Sequence, residues 1–118
     1  MDTATIKQAV ELRKAHLNLI RYSLDKGHSI TVHYGDGDDE VTMSRDFALI
    51  KDAAEACDES YILIYDHNKK RIGWAWVIFG NEDNELVSDY SATDYMDKWW
   101  DQFEEMYEAT KRADQKYH

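Results

Sequence analysis

Apolar side chains recur every three to four residues over the first part of the chain, which is the spacing of an amphipathic helix. The pattern predicts a helix over residues 4–26. Gly27 is its expected end, because glycine adopts the left-handed backbone conformation that commonly terminates helices. The apolar stripe consists of Ile6, Ala9, Val10, Leu17, Ile20 and Leu24.

The middle of the chain alternates apolar and polar residues in short runs separated by turn residues, a pattern typical of antiparallel strands. A short helix over residues 47–57, capped by Asp46 or Ser44, interrupts these runs. We expect its inward side chains to be Phe47, Ile50, Ala53, Ala54 and Cys57. The strands are predicted at residues 29–34, 60–65, 72–79 and 85–90, with a further short candidate at residues 40–43.

The last part of the chain predicts a second long helix, capped by Thr93 or Ser91 and running to about residue 113. Its apolar face is rich in aromatic side chains: Tyr95, Met96, Trp99, Phe103, Met106 and Tyr107. The order of the elements and the tight turns between the later strands predict an α+β fold. We expect a mostly antiparallel sheet of three to four strands, with helices at both termini and one short internal helix, and with the helices covering one face of the sheet.

Composition is consistent with one folded domain over residues 1–118, since a chain of 118 residues and 13.9 kDa rarely divides its core. The apolar fraction of 43% and the aromatic fraction of 13% exclude a disordered acidic tail. A single cysteine excludes an internal disulfide and a cysteine-based zinc site, and it favours a reducing compartment. Neither a membrane-spanning apolar run nor a signal peptide is predicted, so we expect a cytoplasmic protein.

The distribution of charge says more about possible binding partners than the overall composition does. The formal net charge is -10, from 24 acidic and 14 basic side chains. Residues 35–60 hold nine acidic and two basic side chains, and residues 81–108 hold ten acidic side chains and one basic. This excess argues against direct binding of nucleic acid or of an anionic lipid surface.

Six carboxylates of the second acidic band fall on one side of the last predicted helix. They occupy an arc of about 100° opposite the apolar face, and over the 15 residues that they span there is on average one carboxylate per roughly 3.7 Å of helix axis. The phosphates of one DNA strand are spaced by about 3.4 Å. We therefore expect a surface that stands in for a nucleic-acid strand, the alternative being an acidic face that only keeps the protein in solution. The six are Asp94, Asp97, Asp101, Glu104, Glu105 and Glu108, aided by Asp36, Asp38, Asp39 and Glu40 of the first band.

Residue spacing gives no support to a catalytic or metal site. Counted from Asp36, the calcium loop of an EF-hand needs glycine and glutamate where the chain has Val41 and Phe47. The five histidines do not form the H-E-x-x-H spacing of a zinc protease, and no glycine-rich phosphate loop is present. Cys57 is interpreted as a small core residue rather than a nucleophile. We expect no enzyme activity, no metal and no cofactor.

The strand at residues 72–79 is unusual for its tryptophans. Trp74 and Trp76 point to the same side, and we favour the interpretation that they belong to the core. The alternative is a protein-interaction surface or a homodimer seam formed by these rings, or by Trp99 and Trp100 of the last helix. A small hydrolase or a metal-binding protein is the third possibility.

The segment from Ile72 to Tyr90 contains a GW strand, a GN turn at Gly80-Asn81 and a V-x-D-Y strand that begins at Val87. This pattern resembles small acidic proteins of tailed bacteriophages. The resemblance implies a phage-type protein that inhibits host machinery such as restriction, CRISPR, repair or transcription proteins. The implied partner is a host or defence-system protein with a basic nucleic-acid channel. The resemblance carries over no catalytic residue.

Overall fold

The computed structural model describes residues 14–34, 39–78 and 87–116, and the side chains of Asp39 and of residues 110–116 lie outside that description. In these ranges the chain forms three helices and five strands. In chain order they are α1 (Ala15–Asp25), β1 (Ser29–His33), β2 (Asp39–Ser44), α2 (Phe47–Glu55), β3 (Glu59–Tyr65), β4 (Arg71–Ile78), β5 (Val87–Tyr90) and α3 (Asp94–Lys116). The predicted start of the first helix, including Ile6, Ala9 and Val10, lies outside the described residues.

The five strands form one antiparallel sheet in the order β2-β1-β3-β4-β5. This confirms the predicted α+β class, with a helix before the first strand, one between β2 and β3, and one after β5. The candidate strand β2 is part of the sheet, so the strand count is five instead of three to four. β2 pairs with β1 through Val41 and Val32, and the Met43 backbone N–H donates to Thr31 Oγ1 at 2.9 Å where the pairing is irregular.

Capping groups confirm three of the predicted helix boundaries, namely the end of α1 and the starts of α2 and α3. Gly27 ends α1 with a φ of +81°, a left-handed conformation that costs glycine little because it has no Cβ. The Asp46 carboxylate accepts the Leu49 N–H at 3.2 Å at the start of α2. Thr93 Oγ1 accepts the Met96 N–H at 3.4 Å at the start of α3. Each of these two oxygens satisfies a backbone donor that the first helical turn leaves open.

The three helices lie on one face of the sheet, and the core lies between them and the strands. Along β3 and β4 every second side chain points to the helices and is buried, as the alternation of a strand requires. Gly73 lets α3 approach β4 closely, because a Cβ built at this position would stand 2.7 Å from Met96 Sδ. The strands contribute Ile30, Val32, Ile62, Ile64, Ala75 and Val77 to the core, and the largest helix contributions are Leu17, Ile20, Ile50, Met96, Trp99 and Phe103.

The opposite face of the sheet carries six large hydrophobic side chains that are half-buried and do not pack against the core. Trp74 and Trp76 are among them, so their interpretation as core residues is wrong. The reason is the alternation along β4, where Gly73, Ala75 and Val77 take the helix side because α3 lies close to the strand. We call the six side chains the open face: Tyr61, Leu63, Tyr65, Trp74, Trp76 and Ile78.

Cys57 is exposed, which corrects its predicted place in the core. Since α2 ends at Glu55, Cys57 lies in the bend that follows, and the helical period no longer turns its side chain inward. The other predicted inward side chains of α2 are buried or half-buried: Phe47, Ile50, Ala53 and Ala54.

His16 is a fully buried titratable side chain between α1 and α2. Its Nε2 lies 2.9 Å from Glu55 Oε2, and Lys51 Nζ donates to Glu55 Oε1 at 3.1 Å. Burial lowers the pKa of His16 below its usual 6.5, and the Glu55 carboxylate offsets only part of that shift. The imidazole is therefore neutral at pH 7.

We expect Gly73→Ala to lower the free energy of unfolding by about 1–3 kcal/mol, because the added methyl group displaces Met96 within a filled core. Met96→Ala also lowers the free energy of unfolding. In the Met96→Ala variant, however, the methyl group added by Gly73→Ala no longer meets the sulfur atom of Met96. The two substitutions should therefore couple in a double-mutant cycle measured by urea unfolding. An equal cost of Gly73→Ala in both backgrounds would contradict this account of the close approach.

Acidification should begin to destabilise the protein as the pH falls through about 6.5, before most carboxylates take up protons. Because folded His16 has the lowered pKa, the unfolded chain binds the proton first as the pH falls through 6.5, and the free energy of unfolding decreases. His28, whose pKa is also lowered by burial, acts in the same direction. His16→Gln should flatten the slope of unfolding free energy against pH, measured by urea unfolding at each pH. A slope equal to that of the parent protein would show that His16 is not responsible.

Candidate protein-binding site on the last helix

The structure places all six predicted carboxylates of the last helix on the exposed side of α3. Trp99 and Phe103 are buried on the opposite side, so the amphipathic pattern of the helix turns the carboxylates to solvent. In the described part of the chain, none of the six forms an ion pair with a basic side chain. We call this set the acidic ridge: Asp94, Asp97, Asp101, Glu104, Glu105 and Glu108.

Side-chain hydrogen bonds fix α3 against α1. Trp99 Nε1–H donates to Asn18 Oδ1 at 2.9 Å, and the Tyr95 hydroxyl donates to Ser23 Oγ at 3.0 Å. Burial raises the pKa of Tyr95 to about 12, so its hydroxyl keeps the proton that it donates. The acidic ridge is therefore carried by a helix that is held at buried points.

An aromatic pair borders the acidic ridge. The rings of Tyr90 and Trp100 stack with centroids 5.6 Å apart and planes inclined by 27°, and both side chains are half-buried. Burial raises the pKa of the Tyr90 hydroxyl, and neighbouring carboxylates raise it further because they oppose another negative charge. In order of effect these carboxylates are Asp97, Glu104, Asp101 and Asp89. The negative surface therefore extends from α3 to β5.

Tyr90 and Asp89 are site residues that the sequence pattern does not identify. Tyr90 lies beside α3 because it pairs with Ala75 on β4, and this pairing is not visible in the local sequence. Asp89 belongs to the acidic band of residues 81–108, but a band does not indicate which carboxylates meet in space. The position of Trp100 beside the acidic ridge can be predicted from the sequence, because Trp100 lies at the margin of the apolar face of its own helix.

The first acidic band is not brought to the acidic ridge in the described part of the chain. Glu40 is exposed on β2, at the edge of the sheet opposite β5. Four strand spacings of about 4.8 Å place these two edges roughly 19 Å apart. Asp36 and Asp38 lie outside the described residues, as does the side chain of Asp39. Glu40 and the acidic ridge therefore do not form one continuous surface.

The structure also narrows the alternative functions. Trp99 is fully buried, so Trp100 is the tryptophan of α3 that a partner can reach. Among the described residues, no three histidine, cysteine, aspartate or glutamate side chains are grouped so that they could hold a metal ion. Two candidate interaction surfaces of the described residues are the acidic ridge with its aromatic border, and the open face of the sheet.

No protein-family model, curated protein or solved structure matches this chain. The fold therefore brings no function by analogy, and the phage resemblance of residues 72–90 stays a prediction. In the described ranges, no helix combines the length and the apolar composition needed to cross a membrane.

We expect Asp101→Asn to raise the free energy of unfolding by about 0.5 kcal/mol, because Asp101 has like charges four residues away on both sides, at Asp97 and Glu105. Asp94→Asn is a matched control, for which we expect a change in the free energy of unfolding of the opposite sign. It removes a charge from the first turn of α3, where the helix dipole favours it, and should lower stability by a similar amount. Both effects should shrink in about 1 M salt. Urea unfolding measures them, and a destabilising Asp101→Asn would argue against repulsion within the ridge.

Proposed function

We propose that this protein binds a host or defence-system protein that handles nucleic acid, and blocks it by presenting the acidic ridge in place of phosphates. The observation that supports this proposal is the set of six exposed carboxylates on α3, which form no ion pair among the described residues. Restriction, CRISPR, repair and transcription proteins hold nucleic acid in basic channels, and they are the partner class that we propose. The proposed compartment is the cytoplasm of the host cell.

Charge and rigidity both favour this role. The ridge is attracted to a cationic channel, which speeds association and selects partners of positive charge. A helix keeps its carboxylates at fixed spacing, so little ordering is needed when the complex forms. A surface helix that serves only solubility gains stability from interspersed opposite charges. In α3 the ridge contains six carboxylates, and Lys98 is the basic side chain between Asp94 and Glu108.

The aromatic border gives the proposed interface an apolar component. Tyr90 and Trp100 lie beside the carboxylates and are partly accessible. Aromatic side chains are enriched among the residues that dominate binding energy, whereas exposed charges act more on the association rate. We propose that the carboxylates accelerate encounter and that the aromatic pair slows dissociation.

Charge reversal tests the proposal. A pull-down from host lysate at low and high salt, with mass spectrometry, identifies the partner. Reversing three ridge carboxylates should then weaken its affinity by at least about tenfold. This variant combines Asp97→Lys, Asp101→Lys and Glu104→Lys. The matched control changes the net charge equally at exposed positions on α2 and in the bend that follows it, and it should keep most of the affinity; it combines Ala48→Lys, Asp52→Lys, Ala56→Lys and Asp58→Lys.

Salt, competition and the aromatic pair distinguish this proposal from its alternative. Binding should weaken steeply with salt, and DNA or RNA should compete for the partner's channel. Trp100→Leu should raise the dissociation rate with little effect on association. An affinity that is unchanged in about 1 M salt, or lost equally in the ridge and control variants, would contradict the proposal. Loss on Trp100→Leu alone would favour a non-mimic interaction module.

A further inference from the structure

The open face of the sheet lies on the side away from α3, and the proposed function does not use it. Its large side chains are in register across β3 and β4, where Tyr61 opposes Trp76 and Leu63 opposes Trp74. Contiguous apolar surface of this kind is rare on a protein that has no partner for it. We propose that the open face binds an arginine-bearing segment of a partner protein.

Carboxylates stand on both sides of Trp76. Its Nε1–H donates to Glu59 Oε1 at 2.9 Å, which ties the indole to the β3 side. Asp89 on β5 opposes Trp76 directly, so the two side chains share the open face. The rings of Tyr61 and Trp76 have centroids 6.3 Å apart and planes inclined by only 11°. The result is a broad aromatic surface with negative charge at its borders.

This arrangement fits a guanidinium group. A guanidinium stacks on an aromatic face while its N–H groups donate to carboxylates at the edge. Glu59 and Asp89 each accept one hydrogen bond from the described residues, and each is exposed with acceptor capacity left. Charge complementarity therefore favours a cationic segment over a neutral apolar one. The aromatic area favours arginine over lysine, whose ammonium group is compact and strongly hydrated.

A second copy of this chain is a poorer occupant of the open face. Even the whole face of five strands of up to eight residues spans only about 26 by 19 Å, or roughly 500 Å² per copy. A stable interface uses about 800 Å² on each partner, which is more than that face provides. Two chains of net charge -10 would also bring the carboxylates around Trp76 together. Repulsion between them opposes such a dimer.

The test uses a variant with a neutralised ridge, so that this inference and the proposed function can fail separately. That variant combines Asp97→Asn, Asp101→Asn and Glu104→Gln, which remove competing cation sites on α3. A tetra-arginine peptide should shift the nuclear magnetic resonance signal of the Trp76 Nε1–H and quench tryptophan fluorescence. A tetra-lysine peptide of the same net charge should bind about two- to fivefold more weakly.

Single substitutions in this background locate the binding surface. Trp76→Leu should weaken tetra-arginine binding by about two- to fivefold. Glu59→Gln and Asp89→Asn should each weaken it by up to about fivefold, and Glu59→Gln keeps an acceptor for the indole. Leu49→Ala is the control, because it removes an exposed apolar side chain from α2, on the other side of the sheet, and should leave the affinity unchanged. Thermal unfolding verifies that each variant is folded.

Equal binding of the two peptides, or unchanged binding by the Trp76→Leu variant, overturns the inference. Sedimentation that reveals a dimer abolished by Trp76→Leu would assign the open face to a second copy. Acrylamide quenching of tryptophan fluorescence in the free protein, compared with quenching in the Trp76→Leu variant, shows whether Trp76 is accessible. A protected Trp76 would show that other residues of the same chain cover the open face. Either of these results overturns it as well.

Discussion

The close approach of α3 to β4 at Gly73 is the contact on which the rest of the structure depends. Because Gly73 has no side chain, Met96 occupies the space above the strand. The helix then lies close enough for Trp99 to be buried and to donate to Asn18. Alternation along β4 leaves Trp74 and its neighbours on the other face of the sheet. One absent side chain thus decides which aromatic rings enter the core and which stay at the surface.

The acidic ridge persists because the buried side of α3 outweighs the repulsion on its exposed side. Each pair of like charges four residues apart opposes the helix by about 0.2–0.5 kcal/mol. Burial of one large aromatic side chain contributes about 2–3 kcal/mol in the other direction. Trp99 and Phe103 are both buried, and α3 continues through the whole ridge. A surface that costs stability and is supported by packing is typical of a functional site.

Features that depend on local chemistry can be predicted from the sequence, and features that depend on strand pairing cannot. The caps at Asp46 and Thr93 and the helix end at Gly27 involve only groups within a few residues, and the structure confirms them. The helical period likewise predicts the exposed ridge. Alternation shows that the tryptophans of β4 share a face, but it does not indicate which face the helices cover. The position of Tyr90 beside α3 depends in the same way on the pairing of β4 with β5.

The acidic ridge and the open face meet at β5, an edge strand of the described sheet. Asp89 and Tyr90 are consecutive, so Asp89 shares the open face with Trp76 while Tyr90 borders the acidic ridge. A partner that reaches around this edge therefore contacts both surfaces without spanning the molecule. Because binding at one surface raises the effective concentration at the other, the two cation-binding surfaces that we propose can together give an affinity that neither reaches alone. This geometry favours a partner with basic side chains on two walls of a channel over one with a flat basic surface.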